Sequence, residues 1–428
     1  MAIALPIFGL FGLLIVGVPV GFALLLSGGL GILLTNSFGM LEGILQTSPH
    51  ASTASFTLTS IPMFILMAEF ARITGITEKA FNACNRWIGH LPGGLGIATV
   101  IASTGLAAIS GSSTAAAATM AKTATGEMRK FNYNTQFATG IVAVSGTLAV
   151  MIPPSIILIV YGILTEVPIG QLLIAGIIPG IITAIGYVIS VLVWVKLRPQ
   201  DAPRAQKYTM KERMESTKGL IPMIILIVFM IVAIYTGIVT PTEAGAVGAF
   251  FTLLIGFVMR SVTKKGIIEA LMRTAQSTCM IFTIIIGAMV FSYYITTAQL
   301  TQRLITFVSE MNVSAWVIMA IIVLIYIILG AFLDQLAILF LTLPLTFPVA
   351  MALGFNPIWF GIIVTKAAEI GLITPPLGMN VFITANSAKV PANEVFKGAT
   401  KLLVVEFIIL IILFALPSIS TWLPNLMG

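Results

Sequence analysis

Ser145-Gly146-Thr147-Leu148-Ala149-Val150-Met151-Ile152-Pro153-Pro154-Ser155 and Gly371-Leu372-Ile373-Thr374-Pro375-Pro376-Leu377-Gly378-Met379-Asn380 each carry a proline pair inside a long apolar run, and the pairs lie 222 residues apart. Proline has no N–H to donate and its ring clashes with the carbonyl four residues earlier, so each pair breaks the helix that the surrounding run would form. In hydrocarbon such open backbone is tolerated only where it is buried in protein or lines a cavity. Two breaks at equivalent places in two halves of a chain point to a secondary transporter, whose ion and substrate sites are built at discontinuous helices.

The composition agrees. Of 428 residues, 58% are apolar and 9% charged, with a mean hydropathy of +1.08. So few charges cannot cover a soluble protein of this length. Apolar runs of about 20 residues recur from end to end, as spanning helices require, and the chain reads as an all-α polytopic membrane protein. The first apolar run has no basic segment before it and no cleavage site, and is expected to be a span and not a removed leader. Two cysteines, Cys84 and Cys279, suggest neither a disulfide framework nor a metal cluster. The net charge of +7 fits basic cytoplasmic loops better than nucleic-acid binding, since no soluble domain exists to carry a basic face.

The half-chain spacing recurs elsewhere. Pro19 pairs with Pro241 and Gly176 with Gly398 at 222, Pro168 with Pro391 at 223, and Thr77 with Thr301 at 224. Basic residues then orient the halves. Residues 196–218 hold seven basic and three acidic side chains and form a cytoplasmic linker between a first repeat, 1–195, and a second, 219–428. Spans are expected near 3–17, 21–36, 56–72, 134–165 and 169–195, then near 219–238, 244–259, 275–296, 357–387 and 402–424. Five spans per half, an odd number, make the repeats inverted and place both termini on the periplasmic side. This arrangement leaves 20 of the 22 Lys and Arg at the inner face, Arg303 and Lys366 excepted. Residues 92–128 and 314–348, each about 35 long, have both ends on one side and read as re-entrant hairpins, because two full crossings would need more length.

Site chemistry is expected where these irregularities meet. The first hairpin turns at Ile109-Ser110-Gly111-Ser112-Ser113-Thr114, offering hydroxyls, free carbonyls and a following helix N-terminus, a favourable place for an anion. In the broken helix 134–165, Pro153 and Pro154 leave the carbonyls of Ala149 and Val150 without helical donors, and Gly146 permits unwinding. In 357–387 the corresponding carbonyls are those of Gly371 and Leu372, with Thr374 and Asn380 nearby. Neutral oxygens of this kind suit Na⁺, a hard ion. One cation site is therefore assigned to Ser110, Ser112, Ser113, Gly146, Ala149, Val150 and Pro153, and a second to Gly330, Asp334, Gly371, Leu372, Thr374 and Met379. The substrate would meet Ser112, Ser113, Thr114 and Asn380. Asp334 could cap the following helix, bind a cation or carry a proton. Lys366 and Glu369, three apart on one helix, are expected to pair, and Glu243 to be structural. A phosphate loop and an HExxH motif are both missing, and no base accompanies the hairpin serines, so ATP hydrolysis and intramembrane proteolysis lack their residues.

At these residues the chain resembles the large membrane subunit of tripartite ATP-independent periplasmic (TRAP) transporters. The Ser-rich turn at 110–114, Ile152-Pro153-Pro154-Ser155, Thr240-Pro241-Thr242-Glu243 and Thr374-Pro375-Pro376-Leu377-Gly378 carry the likeness, which covers essentially the whole chain. One departure is Ala149, where glycine is expected; a carbonyl ligand would be unaffected. The resemblance implies an elevator fold of the ion-transporter superfamily with discontinuous helices, in which a transport domain of both hairpins and both broken helices slides against a scaffold. It implies coupling to two or more Na⁺ ions with no organic cofactor, and residence in the lipid of a bacterial inner membrane. As partners it implies a small four-span membrane subunit and a periplasmic substrate-binding protein. The substrate would be an organic acid such as sialic acid or a C4-dicarboxylate. A stand-alone Na⁺/dicarboxylate symporter and a proton-coupled carrier of the same architecture are the alternatives.

Overall fold

The structure is a computed structural model that describes residues 4–311 and 313–426. Among these every regular element is helical, and seven helices are long and apolar enough to cross a membrane. The first half runs α1 (Ala4–Ile15), α2 (Val20–Thr35), α3 (Phe38–Thr53), α4 (Ser60–Thr74), α5 (Ile76–Ile88), α6 (Gly94–Ser110), α7 (Ser113–Lys130), α8 (Thr135–Ser145), α9 (Leu148–Met151), α10 (Ile156–Thr165), α11 (Ile169–Ala175) and α12 (Ile177–Leu197). The short α13 (Met210–Thr217) follows. The second half runs α14 (Ile221–Tyr235), α15 (Pro241–Val258), α16 (Lys264–Thr297), α17 (Leu300–Glu310), α18 (Ala315–Gly330), α19 (Gln335–Ala352), α20 (Pro357–Gly371), α21 (Met379–Ala388), α22 (Ala392–Ala415) and α23 (Ser418–Asn425).

The spacing read from prolines reappears in the helix caps. Ser112 caps α7 and Asp334 caps α19, 222 residues apart, each side chain accepting the N–H three residues on. Asn134 caps α8 and Asn356 caps α20, again 222 apart, each taking two backbone N–H groups of the first turn. A short polar side chain at that position supplies an acceptor to otherwise orphaned N–H groups, which fixes where the helix begins. Both halves thus start the equivalent helices at equivalent residues.

α2 lies along α16, α15 lies along α4, and α4 also meets α16. Among the hairpins and broken helices α22 packs on α8, α21 on α7 and α18 on α20, and the two sets meet where α16 and α17 pack on α19 and α4 packs on α6. Of the four hairpin arms only α19 is both long and apolar enough to cross a membrane. α6 and α18 are shorter, with 17 and 16 residues, and α7 matches α19 in length but is far less apolar.

Several boundaries differ from the sequence reading. α3 occupies a segment assigned to no element; its Gln46, Thr47, Pro49 and His50 disguise it as a loop. α16 begins at Lys264 and not at 275, because Thr263 caps it and charged residues tolerate an exposed helix end. The last span, expected at 402–424, runs from Ala392 to Ala415: Pro391 stands at its N-cap and Pro417 follows its end. Residues 1–3 and 427–428, which bear on the expected placement of the termini, lie outside the described residues.

Candidate ion and substrate site

Each hairpin turn is tied to the broken helix of its own half. The Ile156 N–H donates to the Gly111 carbonyl at 3.3 Å, while the N–H groups of Leu377 and Gly378 donate to the Ala331 carbonyl at 3.3 and 3.2 Å. Gly111 sits at φ +58° against the Pro154 carbonyl, a place and a conformation that a side chain would not share. Both proline pairs are cis. The two half-sites then meet through one reciprocal contact: Ser113 Oγ lies 3.0 Å from Asn380 Oδ1 and 2.7 Å from Asn380 Nδ2. Both residues are buried.

In the first half the helix stops at Ser145, resumes as one turn at Leu148–Met151 and stops again, with Ile152 extended. Pro153 and Pro154 bring no N–H to the carbonyls of Ala149 and Val150, so the residues here are those that could present main-chain oxygens. A Cβ on Gly146 would stand 2.9 Å from the Ala117 methyl, so that glycine lets α7 approach the break. Ser110 Oγ is buried and has no hydrogen-bond partner among the described residues. A buried hydroxyl left unpaired is costly, and its lone pairs are open to a further partner. Ser112 accepts the Ala115 N–H at 3.4 Å and shares a hydrogen bond with Thr114 Oγ1 at 3.2 Å. Ser155 caps α10 through the Leu158 N–H at 3.2 Å.

The second half differs in detail. The carbonyls of Gly371 and Leu372, expected to be free, are engaged: Gly371 O accepts the Thr374 N–H at 2.9 Å and Leu372 O accepts the Asn380 N–H at 3.1 Å. Thr374 donates through a local turn just before the proline pair, and the chain after the pair curls back to bring the Asn380 N–H. Each carbonyl keeps a second lone pair, so an ion could still share it. Thr374 Oγ1 returns to the Ile370 carbonyl at 2.7 Å, and Met379 opens α21. Gly330 and Gly371 stand backbone to backbone: a Cβ on Gly371 would lie 2.5 Å from the Gly330 carbonyl carbon. Asp334 Oδ1 accepts the Ala337 N–H at 3.0 Å and so caps α19. Accessibility separates the halves too, since Pro153 and Pro154 are buried while Pro375, Pro376 and Leu377 are exposed.

Lys366 and Glu369 are fully buried on α20, with Nζ 3.5 Å from Glu369 Oε1. The sequence reading missed the stronger partner: Glu406 of α22 lies 2.6 Å from the same Nζ. Glu406 stands alone among apolar residues of its helix, the one signal that could have marked it. Glu243 closes a capping box with Thr240 at the start of α15. A cleft of about 390 Å³ between Pro168–Gly170 and Gly237–Thr242 is lined by none of the candidate residues.

A largely apolar helical protein in which two hairpin turns are bonded to two proline-broken helices has the construction of a membrane permease. Residues 7–419 match the family described as tripartite ATP-independent periplasmic transporter, DctM component, and the chain belongs to that family, as the large permease of such a system. It is 35% identical over 407 residues to the C4-dicarboxylate TRAP transporter large permease protein DctM of Pseudomonas aeruginosa, covering 94% of each chain. It is 33% identical to the sialic acid TRAP transporter large permease protein SiaM of Vibrio cholerae, covering 98% of each. A third relative, at 30% with 98% of each covered, is the 2,3-diketo-L-gulonate TRAP transporter large permease protein YiaN of Escherichia coli. Among solved structures, the Alcanivorax borkumensis YdaH transporter superposes with a TM-score of 0.60 over 87% of this chain and 88% of that one, at 14% identity. That likeness speaks to the fold alone. The protein is a transporter component and not an enzyme, and it is integral to the membrane.

Proposed function

We propose that this permease imports an organic acid together with Na⁺, by an elevator movement of the hairpins and broken helices against the remaining spans. The observation that carries the reading is the joined centre: two hairpin turns, each bonded to the break of its own half, linked through Ser113 and Asn380. Ser110, Ala149 and Val150, with Ser112, Ser113, Gly146 and Pro153 around them, form the first Na⁺ site. Gly330, Gly371, Leu372, Thr374 and Met379 form the second, with Asp334 capping the adjoining helix. Ser112, Ser113, Thr114 and Asn380 bind the substrate. Three relatives are named for a C4-dicarboxylate, sialic acid and 2,3-diketo-L-gulonate, all acids, which supports a carboxylate cargo here.

The recurrence of caps and breaks at 222 residues supports two repeats, and the basic residues of 196–218 support their inversion about that cytoplasmic linker, with both termini periplasmic. A small four-span subunit and a periplasmic binding protein complete the system in the inner membrane. Uptake into proteoliposomes holding all components tests this. Transport is expected to require both the binding protein and inward Na⁺. Undiminished transport when K⁺ replaces Na⁺ refutes the coupling, and uptake that needs no binding protein identifies a stand-alone symporter.

A further inference from the structure

We propose that the side-chain amide of Gln335, at the tip of the second hairpin, is a substrate-positioning group whose N–H donors hold a hydroxyl or keto oxygen of the imported acid; this deepens the carboxylate reading above, on which it rests. Gln335 opens α19 directly after the cap Asp334 and is 5% exposed. Its Nε2 is buried and has no hydrogen-bond partner among the described residues. A buried donor without an acceptor is costly to the fold. A cation cannot relieve it, because an amide nitrogen offers hydrogens and no lone pair. The missing group is therefore an acceptor oxygen.

The other half of the chain carries the equivalent group with its partner in place. At the 222-residue offset Gln335 corresponds to Ser113, and Asn380 to Leu158. At the first tip Ser113 Oγ is taken up by the Asn380 amide, at 3.0 and 2.7 Å. At the second, α10 and α19 also pack together, but Leu158 of α10 is apolar and fully buried. The link that closes the first tip thus has no polar counterpart at the second. The amide is left for a group from outside the protein.

The polar groups of the second turn are engaged elsewhere. Asp334 Oδ1 accepts the Ala337 N–H at 3.0 Å, and the Ala331 carbonyl accepts those of Leu377 and Gly378. Phe332 and Leu333 are apolar, and residues 330–336 include no Lys, Arg or His. Neutral N–H donors without a basic neighbour suit one uncharged oxygen. A carboxylate is better served at the first tip, where three hydroxyls stand at a helix N-terminus. Access agrees: Pro375, Pro376 and Leu377 are exposed, and the bonds to Ala331 hold that exposed stretch against the second turn. The acid that fits both tips carries a carboxylate at one end and a hydroxyl or keto oxygen further along.

The test is thermal unfolding of the purified permease in Na⁺ with sialic acid, 2,3-diketo-L-gulonate, L-malate or succinate; of these only succinate lacks a hydroxyl or keto oxygen outside its carboxylates. Gln335→Met keeps the side-chain length and removes the amide, and Gln335→Leu is a second variant of similar volume. Both are expected to melt no lower than wild type without an acid, and to keep the half-saturating Na⁺ concentration. The half-saturating concentration of the oxygenated acids that stabilise the wild-type protein is expected to rise about 2- to 10-fold, the worth of one neutral hydrogen bond, with any response to succinate unmoved. Oxygenated acids that stabilise wild type and variants equally overturn the inference alone, and so does stabilisation of the wild type by succinate only. A change confined to Na⁺ also overturns it, since Gln335 then belongs to the ion site. A lower melting temperature with an unaltered acid response overturns it as well, leaving the residue a matter of packing. If none of the four acids stabilises the wild-type protein, the carboxylate reading fails and this inference with it.

Discussion

The Gly330–Gly371 contact makes the sharpest demand on the proposed second ion site. A methyl at position 371 would lie 2.5 Å from the Gly330 carbonyl carbon and 2.6 Å from the Ile327 oxygen, with Gly330 Cα nearer still. All three atoms are backbone and cannot rotate aside. Non-bonded carbons rest at about 3.5–4.0 Å, so Gly371→Ala must part α18 and α20 by about 1 Å. Overpacking of this kind costs about 1–3 kcal/mol, and the same energy charged against ion binding is about 5- to 150-fold in affinity. The assay is the Na⁺ concentration that half-saturates thermal stabilisation of the purified protein, since a ligand of the native state raises stability by mass action. Gly126→Ala is the control: nothing lies within 4 Å of its added methyl, and an open helical glycine loses nothing by the change. Wild-type half-saturation in Gly371→Ala refutes the assignment of this contact to an ion site. A lower melting temperature with unchanged Na⁺ dependence refutes it equally, leaving the contact a matter of packing.

Asp334→Ala removes the cap of α19 and is expected to cost about 0.5–2 kcal/mol in thermal unfolding, whereas Asp334→Asn keeps an acceptor and should leave stability near wild type while raising the half-saturating Na⁺ concentration, because the charge beside the proposed site is gone; unchanged Na⁺ dependence in the Asn variant would leave the carboxylate a helix cap alone. Ser113→Ala strands the buried Asn380 amide at a cost of about 1–3 kcal/mol, and Ser113→Ala/Asn380→Leu should recover part of it, read by the same unfolding together with the half-saturating substrate concentration for uptake. In the linker, hydrogen bonds from Thr209 hold the Glu212 carboxyl below its ordinary value. A depressed carboxyl contributes stability that is complete above the unfolded-state value and lost as pH falls through the folded-state value. Amide protection in 209–217, with intrinsic exchange divided out, should therefore hold constant around neutral pH and fall only below the ordinary glutamate range; a fall beginning above that range contradicts the cap.

What the sequence reveals and what it hides follow from how local each cause is. The helix breaks were legible because proline acts on its own backbone, and the turns beside Ser112 and Asp334 because caps act within one helical turn. The fate of the Leu372 carbonyl was not, since its donor is Asn380, placed by the path of the chain after the break, while Gly371 is closed by a local turn to Thr374. The amphipathic helices α5 and α17 lack the uniform apolar character that marks a span. The partnership of Lys366 with Glu406 spans two helices, and no periodicity within either one reports it. The Ser113–Asn380 link joins residues of opposite halves; each was legible as a polar group at a break, but their meeting depends on how the halves pack.

The two hairpin tips, alike in position, differ in charge, and on the proposed reading that difference divides their tasks. A helix N-terminus presents partial positive charge and unpaired N–H groups that favour an anion. At α7 the cap is the neutral Ser112 hydroxyl, with Ser113 and Thr114 beside it, so the local field is left for a carboxylate that arrives with the substrate. At α19 the equivalent position is Asp334, which spends a carboxylate of the protein's own on the Ala337 N–H. A second anion there would face like charge at close range, while a cation near Gly330 and Gly371 would gain from it. The two helix ends stand 222 residues apart at equivalent places; on the proposed reading a serine at one and an aspartate at the other suit the first to the acid and the second to the ion.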